Sequence, residues 1–176
     1  MREQGLVHIY CGNGTGQTTA ATGLALRALG QGNQVVIVQF LKKRATGEIK
    51  ILEQMERVHL FRGKAGDHFT SAMTPEEKKA TKEIHEKNFA SAQQLIASGK
   101  CDVLVLDEIL DAVAKDMFEE ERLCSFLEHR PSSLEVILTG REASSAVRKY
   151  ADYITRMEKE RHPFDRGISA REGIEY

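Results

Sequence analysis

Val7-His8-Ile9-Tyr10-Cys11-Gly12-Asn13-Gly14-Thr15-Gly16-Gln17-Thr18-Thr19 is the stretch on which the reading of this 176-residue chain turns. A short apolar run breaks into glycines and restarts as Ala20-Ala21-Thr22-Gly23-Leu24-Ala25-Leu26-Arg27-Ala28-Leu29-Gly30. The pattern predicts a strand, a phosphate-binding turn and a helix. Gly12, Gly14 and Gly16 allow backbone conformations closed to other residues and bring successive N–H groups near a bound anion. The helix after them adds unpaired N–H groups and the positive end of its dipole at the same point. The usual nucleotide-loop pattern is glycine, four residues, then Gly-Lys-Ser/Thr. Gly16 and Thr18 meet it, whereas Cys11 stands where the first glycine belongs and Gln17 where the lysine belongs. A glycine-rich turn without chemistry explains this loop alone equally well, so the rest of the chain decides.

The length suits one domain, expected to span residues 1–176, with a substantial core. Hydrophobic residues make up 41% and charged residues 29%, an ordinary globular balance, and a net charge of −1 gives no global pull toward nucleic acid or an anionic membrane. Cys11, Cys101 and Cys124 are odd in number and form no CxxC pair, which points to a reducing cytoplasm rather than a disulfide framework or a zinc site. No apolar run approaches a membrane span, and residues 1–5 lead into the first strand without a signal-peptide core. Neither nucleic acid nor membrane is expected as a partner.

Downstream, Gln34-Val35-Val36-Ile37-Val38-Gln39-Phe40 is a continuous β-branched run, suited to a strand covered on both faces. Lys42, Lys43 and Arg44 follow at its C-terminal end, where open α/β sheets bind ligands, although a lone charge run is more often a solvated loop. Residues 48–55 read as a short helix, 57–62 as a third strand and 63–73 as a long irregular segment carrying Phe69 and Met73. Thr74-Pro75-Glu76-Glu77 starts a helix that should run to Ser98, with Ile84, Phe89, Ala92, Leu95 and Ile96 facing the core and His85 at the surface. Cys101-Asp102-Val103-Leu104-Val105-Leu106-Asp107-Glu108 is a buried strand ending in two carboxylates, the Walker B arrangement that sets an acid beside the Mg²⁺ of a nucleotide. Thr18 and Glu108, with Asp107, are thus the candidate metal ligands.

Residues 109–115 and 119–129 read as helices, 134–139 as a fifth strand, 143–149 as a short helix and 151–157 as a sixth strand. Gly140-Arg141 closes the fifth strand at the ligand edge, where a guanidinium clamps phosphate oxygens, the bland alternative being a salt bridge to Glu142 or another surface acid. Strands alternating with helices predict an α/β fold of P-loop NTPase type. Its mostly parallel sheet of about six strands would be flanked by helices as a three-layer sandwich.

Taken together, these motifs resemble the P-loop type ATP:corrinoid (cob(I)alamin) adenosyltransferases nearly end to end. The matching residues are Gly12-Asn13-Gly14, Gly16, Thr18-Thr19-Ala20-Ala21, Gly23-Leu24-Ala25-Leu26-Arg27-Ala28 and Gln39-Phe40-Leu41-Lys42. They continue with Leu106-Asp107-Glu108-Ile109, Arg130-Pro131, Thr139-Gly140-Arg141, His162-Pro163-Phe164, Gly167-Ile168 and Gly173-Ile174-Glu175. The resemblance implies transfer of the 5′-deoxyadenosyl group of MgATP to the Co(I) of a reduced corrinoid, with triphosphate leaving, in adenosylcobalamin biosynthesis or salvage. The nucleophile is then cobalt, so no side chain acts as acid or base; Gln17, Thr18 and Glu108 would position. It further implies nucleotide contacts from Gly12, Asn13, Gly14, Thr15, Gly16, Gln17, Thr18, Thr19, Arg27 and Arg141. Thr18, Glu108 and Asp107 would hold Mg²⁺, and Phe69, His162 and Phe164 would lie toward the corrinoid. A cytoplasmic homodimer supplied by a flavoprotein reductant is implied as well.

Members of that family carry lysine at the positions of Thr15 and Gln17, and this chain has neither. A charge-assisted phosphate contact contributes about 1.5–3 kcal/mol, so losing one weakens binding roughly ten- to a hundredfold. Backbone amides, Mg²⁺, Arg141, Lys42 and Lys43 are the available compensation. Lys43 also replaces a usual glycine, and the tryptophan some members carry after the position of Phe69 is absent. Two other readings follow from the missing lysines: a degenerate relative that binds nucleotide or corrinoid without turnover, and a P-loop ATPase or GTPase cleaving the γ-phosphate.

Overall fold

The computed structural model describes residues 4–44, 46–68 and 70–176. Apolar, β-branched runs too short for helices become the strands β1 (Val7–Cys11), β2 (Val35–Gln39), β3 (Val58–Arg62), β4 (Val103–Asp107), β5 (Glu135–Thr139) and β6 (Tyr153–Arg156). They form one sheet in the order β3-β2-β4-β5-β1-β6, with every pairing parallel. Between them run the helices α1 (Gln17–Gly30), α2 (Gly47–Leu52), α3 (Pro75–Ala97), α4 (Ile109–Ala114), α5 (Glu120–His129) and α6 (Ser145–Arg148). The expected three-layer α/β architecture is observed.

Alternation along the central strands divides the core in two, because successive side chains of a strand point to opposite faces. Val36, Val38, Leu104, Leu106, Val136 and Leu138 pack with Phe89 of α3, Ala112 of α4, Leu123 and Leu127 of α5 and Val147 of α6. Val35, Ile37, Val103, Val105 and Ile137 pack with Ala21, Ala25 and Ala28 of α1 and with Ile49 and Leu52 of α2. The small alanine face of α1 lets that helix lie close to the sheet, which sets its N-terminus beside the C-terminal ends of β1, β4 and β5.

Two helices start differently, and the difference bears on ligand binding. In α3, Thr74 and Glu77 form a capping box, with Thr74 Oγ1 accepting from Glu77 N–H and Glu77 Oε2 accepting from Thr74 N–H. Helix α1 begins after Gly16 at φ 108° with no side-chain cap and no acidic residue in its first turn. Its dipole and first N–H groups are left for an anion.

One expectation on α3 is corrected. His85, read as a surface residue, is 1% exposed. A polar residue on a charged helix reads as solvent-facing, but here two backbone groups of other segments satisfy both ring nitrogens: Leu41 N–H donates to Nε2 (3.1 Å) and Nδ1 donates to Met117 O (3.1 Å). Element ends differ from expectation by up to three residues, most at α2, which stops at Leu52 rather than residue 55; in α6 Ser144 caps Val147 N–H and only one turn forms.

Candidate functional site

The loop between β1 and α1 is tied to its neighbours by its glycines. Gly12 N–H donates to Arg141 O (2.8 Å) and Gly14 N–H to Met157 O (2.8 Å), while Met157 N–H returns a bond to Cys11 O (2.7 Å). Gly12 lies at φ 124°, a region that side chains disfavour. Asn13 adds a further tie, its Oδ1 accepting Lys159 N–H at 3.0 Å, so the tail crosses directly beside the loop. Gln17 turns inward: its Nε2 donates to Gly12 O (2.9 Å) and Gly14 O (3.1 Å). The side chain at the lysine position therefore braces the loop from within.

At the foot of the loop, three strand ends supply one polar cluster. Gln39, Asp107 and Thr139 are the last residues of β2, β4 and β5, and register pairs Gln39 with Asp107. Asp107, 2% exposed, accepts from Thr18 Oγ1 and Thr139 Oγ1 at 2.8 Å each and from Gln39 Nε2 at 3.1 Å. Thr139 Oγ1 in turn accepts Glu108 N–H (2.8 Å), which holds Glu108 in its left-handed conformation, φ 61°. Both threonine hydroxyls spend their protons on Asp107, so the lone pairs of Thr18 face outward toward a cation.

The cation now there is Lys42. Its Nζ stands 2.8 Å from Asp107 Oδ2, 3.0 Å from Thr18 Oγ1 and 3.3 Å from Glu108 Oε1. Burial disfavours the Lys42 ammonium, but the Asp107 and Glu108 carboxylates outweigh it and raise its pKa above the ordinary lysine value. Glu108 moves up as well, because burial outweighs the pull of Lys42. Thr18, Asp107 and Glu108 form a hard oxygen donor set of the kind that suits Mg²⁺. Above them opens a cleft of about 540 Å³ lined by the loop, Glu108, Asp111, Lys115, Thr139, Gly140, Arg141, Lys159 and His162.

Lys42 is delivered there by a strained turn. Leu41 lies at φ 57°, which costs a non-glycine residue about 1–2 kcal/mol, and His85 secures it by accepting its N–H. Burial holds the His85 imidazole down to about 4 from its ordinary 6.5, the hydrogen bond to Met117 pulling weakly the other way. Between pH 6.5 and about 4 the unfolded chain binds the proton that the folded chain refuses. The stabilisation from neutral His85 is complete above 6.5 and falls away, by about 3 kcal/mol, as pH drops toward 4. Urea unfolding at stepped pH should show this loss, and His85→Gln should remove that share of the slope; an identical slope in the variant would assign the acid sensitivity elsewhere.

Of the residues singled out in sequence, Gly12, Asn13, Gly14, Thr15, Gln17, Thr18, Glu108, Arg141 and His162 line the one cleft. Gly16 caps α1 beneath it and Asp107 lies below Thr18. Arg141 extends from the strand end with its side chain 86% exposed and Nε 4.0 Å from Asp111 Oδ1; Glu142 pairs instead with Arg148 and Arg156. Arg27 is not brought to the cleft. It lies in the last turn of α1, ten residues after Gln17, and at 1.5 Å per residue the helix carries it about 15 Å away, to the surface. Thr19 is exposed one residue along from Thr18, off the cleft-facing side. Phe164 is 74% exposed in the 3₁₀ turn Pro163–Arg166, and Phe69 lies outside the described residues. Gln39 and Thr139 carry no site role in the sequence reading and Lys42 enters it only as compensation for the missing loop lysines, although a polar residue closing an otherwise apolar strand is a readable signal.

Comparison with known proteins agrees with this arrangement. The profile of the family "ATP:corrinoid adenosyltransferase BtuR/CobO/CobP" matches residues 3–176. A corrinoid adenosyltransferase of Escherichia coli K12 is 33% identical over 175 residues, covering 99% of this chain and 87% of that protein. One of Pseudomonas aeruginosa is 33% identical over 178 residues, covering 99% and 85%. Among solved structures, the cytoplasmic domain of EssC superposes with a TM-score of 0.50 at 15% identity over 96% of this chain and 36% of that one, a likeness of fold alone. With glycine loop, carboxylate-ended strand and Thr139-Gly140-Arg141 gathered in one cleft and the profile matching from residue 3 to residue 176, the chain belongs to the ATP:corrinoid adenosyltransferase family.

Proposed function

We propose that this chain is a transferase that moves the 5′-deoxyadenosyl group of ATP to the Co(I) of a corrinoid, using the cleft above Thr18 as its nucleotide site. The convergence of Thr18, Asp107 and Glu108 under the glycine loop carries this reading, in a chain whose relatives are corrinoid adenosyltransferases. A cobalt–carbon bond forms with the electron pair of Co(I) as the bond from C5′ to the triphosphate oxygen breaks, and triphosphate leaves with the pair of that carbon–oxygen bond. Cobalt is the nucleophile, so the protein has no proton to move at the reacting carbon. Its residues bind, orient and exclude water.

In this reading the N–H groups of Thr15 to Thr18, at the uncapped start of α1, cradle the phosphates, while those of Gly12 and Gly14 hold the loop to Arg141 and Met157. Arg141 closes over their far end from β5, its exposed side chain free to swing from Asp111. Mg²⁺, when bound, would neutralise charge developing on the leaving triphosphate, held by the Thr18 hydroxyl with Glu108 and Asp107 once the Lys42 ammonium moves from these oxygens toward the phosphates. Asp107 also orients Thr18. His162 and the exposed Phe164 border the corrinoid from the tail.

One nucleotide-binding domain, working as a cytoplasmic homodimer fed by a flavoprotein reductant, completes the reading. Unpaired cysteines at 11, 101 and 124 suit a reducing compartment, and the exposed Tyr153 and Ile154 on edge strand β6 suit pairing between copies. Among the described residues no helix is long and apolar enough to cross a membrane.

The test is anaerobic conversion of chemically reduced cobalamin with MgATP, followed by absorbance, on this chain and on Gln17→Lys. Adenosylcobalamin with triphosphate as co-product is expected from the unaltered chain. Conversion by the variant alone would make the natural chain a binding protein, and release of orthophosphate without adenosylcobalamin would make it a nucleotide hydrolase.

A further inference from the structure

A phosphate loop ordinarily carries its own ammonium just before its Ser/Thr, and here that residue is Gln17. Gln17 offers no substitute, because its Nε2 donates to two loop carbonyls and an amide brings no charge. Nor does Lys43, whose ammonium pairs with exposed Asp67 at 2.8 Å. Lys42 differs from both. Its ammonium touches Thr18, the residue next to Gln17 in the loop, and its side chain keeps 24% exposure. Two left-handed non-glycine residues, Leu41 and Glu108, converge on it from adjacent strands β2 and β4. Strain of this kind persists only where the surroundings over-determine it; here His85 holds Leu41 and Thr139 holds Glu108.

We propose that Lys42 is the phosphate-binding cation of this nucleotide site, delivered from the end of β2 to do the work a lysine at residue 17 would do. The proposal rests on the nucleotide reading above. A lysine that served only to neutralise Asp107 and Glu108 would affect stability and leave phosphate affinity independent of residue 17. A phosphate-binding Lys42 makes the two positions interchangeable.

The experiment is titration calorimetry of MgATP into the full chain, Lys42→Met, Gln17→Lys and the double variant, with circular dichroism to verify folding. Lys42→Met should weaken binding about tenfold or more. Gln17→Lys should add less than about threefold to the natural chain but recover about tenfold in the Lys42→Met background, which is a coupling between sites. A loss below about threefold in Lys42→Met, or an equal gain from Gln17→Lys in both backgrounds, overturns the proposal. Should Lys42→Met not fold, Lys42→Gln, which keeps a donor toward Asp107 without the charge, is read by the same criteria. Absence of MgATP binding by the natural chain would overturn the nucleotide reading itself, an outcome separate from a Lys42 variant that binds as well as its parent.

Discussion

Asp107→Ala is expected to cost about 3 kcal/mol of stability and to weaken MgATP binding more than a hundredfold. Four donors lose their acceptor at once: the hydroxyls of Thr18 and Thr139, the amide of Gln39 and the ammonium of Lys42. Removing one partner of a buried charged network leaves the others desolvated and unpaired, which costs about 3–5 kcal/mol, and Glu108 beside Lys42 offsets part of it. The affinity falls for a separate reason. Freed from Asp107, the Thr18 hydroxyl no longer presents its lone pairs to a cation, and Glu108 loses the support that reaches it through Thr139. Urea unfolding and calorimetry on the same samples check both effects. A variant with normal stability would show that water replaces the carboxylate; normal affinity would remove Asp107 from the nucleotide site.

The second large effect concerns the loop backbone. Gly12→Ala is expected to destabilise the chain by about 3 kcal/mol or more and to abolish nucleotide binding. A Cβ at Gly12 would stand 2.1 Å from Met157 O and 2.8 Å from Met157 N, in a residue at φ 124°. The obstacle is backbone, which cannot swing aside as a side chain tip does. Displacing Met157 breaks its bonds to Cys11 O and Gly14 N–H, so the loop separates from the strand end that holds it. Left-handed strain of about 1–3 kcal/mol adds to the two lost bonds, about 1 kcal/mol each. Gly23→Ala is the control. Gly23 lies inside α1 with nothing within 4 Å of where an alanine methyl would stand, so alanine there should stabilise the helix by about 0.5–1 kcal/mol. Thermal unfolding of the two variants should move in opposite directions. A Gly12→Ala chain that melts like the natural one would mean that the loop relaxes freely.

Much of the architecture is legible in the order of residues alone. Valine- and isoleucine-rich runs of five or six residues, glycines after the first, Thr74-Pro75 before a long helix and Asp107-Glu108 closing a strand are each local chemistry. Such features act within a few residues of chain, so order along the sequence suffices to read them. The six parallel strands, the loop at residues 12–16 and the carboxylates at the end of β4 follow from them.

Other features depend on which strands become neighbours. Lys42 and Asp107 are 65 residues apart and meet because β2 pairs with β4, which sets Gln39 beside Asp107 and turns the next residues over the strand ends. His85 reads as a surface residue on its own helix and is buried because Leu41 and Met117, from other segments, offer one donor and one acceptor. Arg27, adjacent in motif, is carried off by the rise of α1, and Gln17 turns inward because two loop carbonyls lie within reach. The sequence by itself determined the elements, the glycine loop and the acid pair, since backbone propensity and side-chain periodicity are local. Tertiary structure alone decided which cation serves that acid pair, because the 2.8 Å between Lys42 and Asp107 is set by strand order and register rather than by separation along the chain.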